Sequence, residues 1–109
     1  MTPFNPLNTN AIAATATSQS RAMPTGAGRR TQVSFYNDGP GVAFVDLGSA
    51  AVVATLPVLT ANTGAEGAAT PIPVGQVLAF SNNPEAPYWA VICPAGNTAN
   101  VYCTVGEGN

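Results

Sequence analysis

After residue 31, apolar and polar side chains alternate along most of the chain. In "TQVSFYN" (31–37), Val33 and Phe35 alternate with Gln32 and Ser34. A period of two marks a strand with one face buried. The stretch 37–41, "NDGPG", is nearly pure turn chemistry, with Gly39 and Gly41 free to take turn geometry. "GVAFVDLG" (41–48) follows as a strand covered on both faces except near Asp46. In this reading residues 36–48 form a hairpin, with Phe44 and Val45 locking one sheet onto another. Gly48 and Ser49 mark a turn, and "AAVVATL" (50–56) reads as a further strand. A long loop of small residues covers 60–73. The alternation resumes over 74–80 and breaks at "SNNPEAP" (81–87). "YWAVIC" and "TANVYCTV" then face each other as a hairpin around 94–97. No stretch supports a helix of more than a turn or two.

About six to eight short strands, separated by turn signals at intervals of roughly ten residues, predict an all-β domain. The architecture is an antiparallel β-sandwich or a jelly-roll-like barrel. Residues 1–30 read differently. They carry early prolines, many small side chains and no clear period, with one weak strand around 11–17. The chain therefore divides into an extended N-terminal arm, 1–30, and a β-sandwich domain, 31–109. There is no internal repeat.

Charge sharpens this picture. The 109 residues include only three Lys or Arg, five Asp or Glu and no histidine. A soluble domain ordinarily carries charge on about a quarter of its residues. A surface of Ala, Thr, Ser, Asn and Gly suits one covered by partners, because the cores of interfaces are depleted of charge. A strand region of about 80 residues also supports only a small core, for which oligomerisation is a common remedy. The expectation is a homo-oligomer. With a net charge of −2, direct nucleic-acid binding is not expected. The longest apolar run, 50–59, is too short to span a bilayer and contains Pro57, so no membrane partner is expected. The first residues lack the basic and apolar regions of a secretory signal, which points to synthesis in a cytoplasm.

Candidate chemistry is sparse. Without histidine there is neither a Ser-His-Asp triad nor a Cys-His pair. The usual zinc sites need His or several Cys. "GAGRRT" (26–31) lacks the third glycine and the preceding strand of a dinucleotide fingerprint. The acids Asp38, Asp46, Glu66, Glu85 and Glu107 are scattered through a turn, a strand, two loops and the tail, which suits turn formation and solubility better than paired catalysis. No catalytic, cofactor or metal residues are assigned. Tyr88 and Trp89 are adjacent, so on a strand they face opposite ways. Either could join Tyr102 in an exposed aromatic pair that meets a sugar or a subunit; cross-strand packing is the alternative.

The two cysteines, Cys93 and Cys103, are expected to be unbonded. In a hairpin turning at 94–97 they are offset by about five residues, or ~16 Å, whereas a disulfide needs Cα atoms within ~7 Å.

"QVSFYNDGPGVAFVDLG" together with "VYCTVGEG" resembles a family of small structural proteins of tailed bacteriophages. The matching pieces are Asn37, Asp38, Gly39 and Pro40; Ala43, Phe44 and Val45; Gly48; "PIPVG" (71–75); and "YCTVGEG" (102–108). The resemblance covers about 31–108. It implies a non-catalytic virion β-sandwich that cements the capsid as a decoration protein, bound as a trimer. Its partner would be the major capsid protein on the head surface, and it would be made in the host bacterial cytoplasm. The rival reading is a receptor- or glycan-binding head-fibre or tail module displayed on the virion. Candidate partner-binding residues in the arm are Phe4, Leu7, Ile12, Arg21, Arg29 and Arg30. In the domain they are Trp89 and Tyr102.

Overall fold

The computed structural model describes residues 5–24, 32–57, 67, 69–81 and 87–107. The described residues form eight strands: β1 (Asn5–Ala14), β2 (Gln19–Ala22), β3 (Gln32–Pro40), β4 (Ala43–Gly48), β5 (Thr70–Ile72), β6 (Val77–Ser81), β7 (Tyr88–Ile92) and β8 (Ala99–Glu107). Two four-stranded sheets result, ordered β1-β8-β3-β6 and β2-β7-β4-β5, here called sheets A and B. Every ladder is antiparallel. The first strand pairs with the last, the second with the seventh, the third with the sixth, and the fourth with the fifth. That nesting is a long hairpin rolled into a sandwich, the jelly-roll arrangement.

The expected arm is corrected by this topology. Its described part is β1 and β2, one strand in each sheet, so the division at residue 30 does not hold for residues 5–24. The pattern was hard to read because the inward side of β1 is only partly apolar. Ile12 and Ala14 are buried, but Asn10 shares their face. Asn10 is satisfied by tertiary partners: its Oδ1 accepts from Trp89 Nε1 at 3.2 Å, and its Nδ2 donates to the Ala22 carbonyl at 3.0 Å. A polar side chain fits there because both of its groups are bonded.

Both expected hairpins are crossovers between sheets. β3 lies in sheet A and β4 in sheet B; β7 lies in B and β8 in A. Alternation shows that a strand exists but not which strand it pairs with. The expected strand 50–56 is instead a turn and an extended segment lying outside sheet B. There Ala54 and Val52 pack with Phe44, Ala69, Ala90 and Ile92 in a small outer layer. Phe44 therefore belongs to that layer, while Val45 does face the core between the sheets. The crossing is tight: a Cβ on Gly67 would collide with the backbone at Thr55 O and Pro57 N, so only glycine fits.

The main core is filled by inward residues of both sheets, including Val33, Phe35, Val45, Ile72, Trp89, Val91, Val101 and Val105. Phe35 of sheet A packs against Trp89 of sheet B, with ring centroids 5.4 Å apart, and edge-on against Phe80 at 5.6 Å. Such aromatic pairs add about 0.5–1.5 kcal/mol beyond the area they bury. Cys93 and Cys103 are buried in this core and are not joined by a disulfide. They are unbonded as expected, but Cys93 follows β7 of sheet B and Cys103 lies within β8 of sheet A, so they do not sit on one hairpin.

At one end of the sandwich four connections meet. The Cys93 amide donates to Thr15 O at 2.8 Å, and the Gly41 amide to Thr98 O at 2.8 Å. The turn read in 37–41 is gathered by Asn37, the one polar side chain buried among the described residues. Its Oδ1 accepts from the Gly39 amide at 2.7 Å, and its Nδ2 donates to Gly41 O at 2.9 Å. Its backbone ties the same turn to the β5–β6 connection through Gln76 O (3.2 Å) and the Gly75 amide (2.7 Å). Gly39 itself has φ +83°, a conformation that L side chains rarely adopt.

Candidate interaction face

The outward side of sheet A carries a row of side chains in register across all four strands. Ala11 of β1 faces Tyr102 of β8; Tyr102 faces Tyr36 of β3; Tyr36 faces Val77 of β6. Each lies one position from an inward residue: Val101 and Cys103 flank Tyr102, while Phe35 and Asn37 flank Tyr36. The period of two therefore drives the row outward. Tyr36, Tyr102 and Val77 are 38, 40 and 58% exposed. The tyrosine rings lie with centroids 6.3 Å apart and planes inclined by 30°.

The flanking positions are small and neutral. Thr9, Thr104, Ser34 and Ala79 form the next row, and the hydroxyls of Thr9 and Thr104 are 2.9 Å apart. The acid beside the stripe is Asp38, whose carboxylate accepts from the Tyr36 hydroxyl at 3.4 Å. Two aromatic rings lie at the centre of the face, with hydroxyl groups beside them. Most of its affinity for any partner would come from removing apolar area from water.

The expected partner-binding residues separate sharply. Tyr102 is on this face. Trp89 and Ile12 are not surface groups: both are buried in the core, and Trp89 spans the two sheets. The sequence showed that Tyr88 and Trp89 point opposite ways but not which way was inward. Arg21 is exposed on β2, and its Nη1 donates to Ala11 O at 2.8 Å, clasping the adjoining edges of the two sheets. Leu7 lies in β1, but its side chain falls outside the described residues, as do Phe4, Arg29 and Arg30 entirely. Sequence reasoning missed Tyr36. Its parity opposite Val33 and Phe35 could have placed it outward; its pairing with Tyr102 needs the β3–β8 register.

Two hollows lie elsewhere. One, of about 670 Å³, runs beside the 50–56 segment and is lined by neutral groups including Ser18, Ser20, Val52 and Ile92. The other, about 350 Å³, lies by Asn8, Thr9 and Arg21. Neither brings together an acid and a base. Asp38 and Asp46 sit on different sheets, and the Asp46 carboxylate accepts from the Leu47 amide at 2.8 Å. Among the described residues no group of three or more His, Cys, Asp or Glu could hold a metal ion. Among them, too, no helix is long and apolar enough to cross a membrane.

No protein-family model matches the chain, and no curated protein matches it. A solved structure from Bacillus endospore appendages, described as a novel family of disulfide-linked pili, is similar at a TM-score of 0.48 and 14% identity. The match covers 95% of this chain and 88% of that one. So slight a likeness carries no functional argument.

Proposed function

We propose that this chain is a bacteriophage capsid cement protein, a non-catalytic decoration protein that binds the outer surface of the major capsid protein lattice. The observation that carries the reading is the outer face of sheet A, with Tyr36 and Tyr102 at its centre, Val77 at its margin and a single acid, Asp38, beside them. Aromatic surface with little charge is the composition of an interface core. The sequence resemblance supplies the partner. Many copies, each bound weakly at several points, would hold the lattice by avidity.

The test uses particles carrying the protein. Stripping it should make them burst at lower temperature, and adding it back should restore them. Tyr36→Ala with Tyr102→Ala should fold normally yet fail to restore. Particles indifferent to stripping, or fully restored by the double variant, would count against the reading. Because few ion pairs can form, attachment should also survive moderate sodium chloride.

The tyrosine pair favours one other reading, a glycan-binding module displayed on the virion. Two exposed rings beside threonine hydroxyls can stack on a sugar and bond its hydroxyls. Binding of neutral oligosaccharides that is lost in the double variant, with particle stability unchanged, would favour it over the cement role.

A further inference from the structure

An edge strand presents unpaired backbone groups, and proteins ordinarily blunt such edges with charge, proline, bulges or brevity. The sandwich has four edges: β1 and β6 in sheet A, β2 and β5 in sheet B. Three are blunted. β1 contains Pro6 and an irregularity between Pro6 and Asn8, and Arg21 occupies the Ala11 carbonyl. β2 has four residues, one of them Arg21, and Asn10 occupies its Ala22 carbonyl. β5 has three residues with Pro71 in the middle. β6 has none of these features. Its five residues, "VLAFS", include no charge and no proline, and its register with β3 is unbroken from Gln32–Ser81 to Tyr36–Val77. No described strand pairs with its outer edge.

We infer that β6 is the self-association edge of this protein, pairing antiparallel with β6 of a second copy about a two-fold axis at Ala79. An antiparallel edge is complementary to itself, since each strand offers alternating donors and acceptors to its two-fold mate. Neutrality selects the same occupant: with no charge between Val77 and Ser81, two identical strands meet without like charges opposed. In this register Ala79 faces Ala79 of the copy and Val77 faces Ser81, so exposed Val77 loses solvent contact. Sheet A becomes a continuous eight-stranded sheet, and the rows through Tyr36 and Tyr102 of both copies lie on one face. The free protein is accordingly a two-fold dimer, whatever surface it later meets.

Sedimentation of the full chain decides this. Wild type should be a dimer at micromolar concentration. Ala79→Lys, which opposes two lysines at the axis, should weaken it by about fivefold in dissociation constant. Ala79→Glu should do the same, and mixing the two variants should restore a dimer. Ala13→Lys, on the far edge of the same sheet, should change nothing. Emission from the buried Trp89 reports that each variant is folded. A wild-type monomer or trimer, a dimer indifferent to Ala79→Lys, or folded Lys and Glu variants that fail to pair when mixed would each overturn the proposal.

Discussion

The side-chain amide of Asn37 in sheet A donates a 2.8 Å hydrogen bond to the carbonyl of Ile72, the last residue of β5 in sheet B. The same nitrogen holds Gly41 O, and the side-chain oxygen holds the Gly39 amide. One buried polar side chain thus closes the turn after β3 and fastens it to the opposite sheet. Asn37→Ala should leave three backbone groups, two of them in buried hydrogen bonds, without these partners and cost about 2–4 kcal/mol. Asn37→Leu, which keeps the volume, should cost at least as much. Urea denaturation checks both; a loss under about 1 kcal/mol for Asn37→Ala would show that water replaces the amide.

Gly39 faces Val74 across that junction. A Cβ there would lie 2.8 Å from Val74 Cγ1, in a backbone with φ +83°. Gly39→Ala should destabilise by about 1–3 kcal/mol. Val74→Ala in the same chain should recover the steric part only, because the backbone conformation is unchanged. Thermal melts of the two single variants and the double variant separate the terms.

Trp89 and Tyr102 should behave oppositely. Trp89→Phe removes the bond to Asn10 Oδ1 and part of the contact with Phe35, at a cost of about 2–4 kcal/mol. Tyr102→Ala removes an exposed ring and should cost under about 1 kcal/mol. Denaturant midpoints test the contrast, and equal losses would contradict the assignment of Tyr102 to an open face.

Burial pushes the Cys93 thiol above its ordinary pKa. The folded state therefore holds its proton to higher pH than the unfolded chain does. Cys93 favours folding fully below the unfolded thiol pKa, about 8.5, and that contribution is lost as pH rises through the folded value. Stability should decline in the alkaline range, and Cys93→Ala should flatten the decline. In native protein at neutral pH both thiols should resist alkylation until the chain unfolds. Rapid labelling of folded protein would place a cysteine at the surface.

Much of the strand content was legible because it follows from parity. Val33 and Phe35 inward and Ser34 outward need only a period of two, and the model agrees. Partnership was less legible. Consecutive strands read as hairpins because the turn at 37–41 and the turn at 94–97 have hairpin chemistry, yet both turns carry the chain from one sheet to the other. The first strand was obscured by Asn10, whose partners come from β7 and β2. The candidate face was half visible: Tyr102 stood out as an aromatic on a strand, while Tyr36 gains meaning only beside it. Trp89 was misread as a surface residue because a large aromatic serves either role until the inward side of its strand is known.

The nesting of first strand with last has a consequence for how the molecule comes into being. β8 lies between β1 and β3, so the inner seam of sheet A is made of a strand synthesised after every other described strand. Until residues 99–107 emerge, β1 and β3 have no common neighbour, and the Val101–Val105 side of the core is missing. Sheet A cannot assemble progressively as the polypeptide lengthens; it closes in one late event across nearly the whole chain. Pairings so distant along the sequence make folding slow. A nascent chain would expose the apolar faces of β3 and β6 throughout that wait, which makes chaperone protection during synthesis a natural requirement of this connectivity.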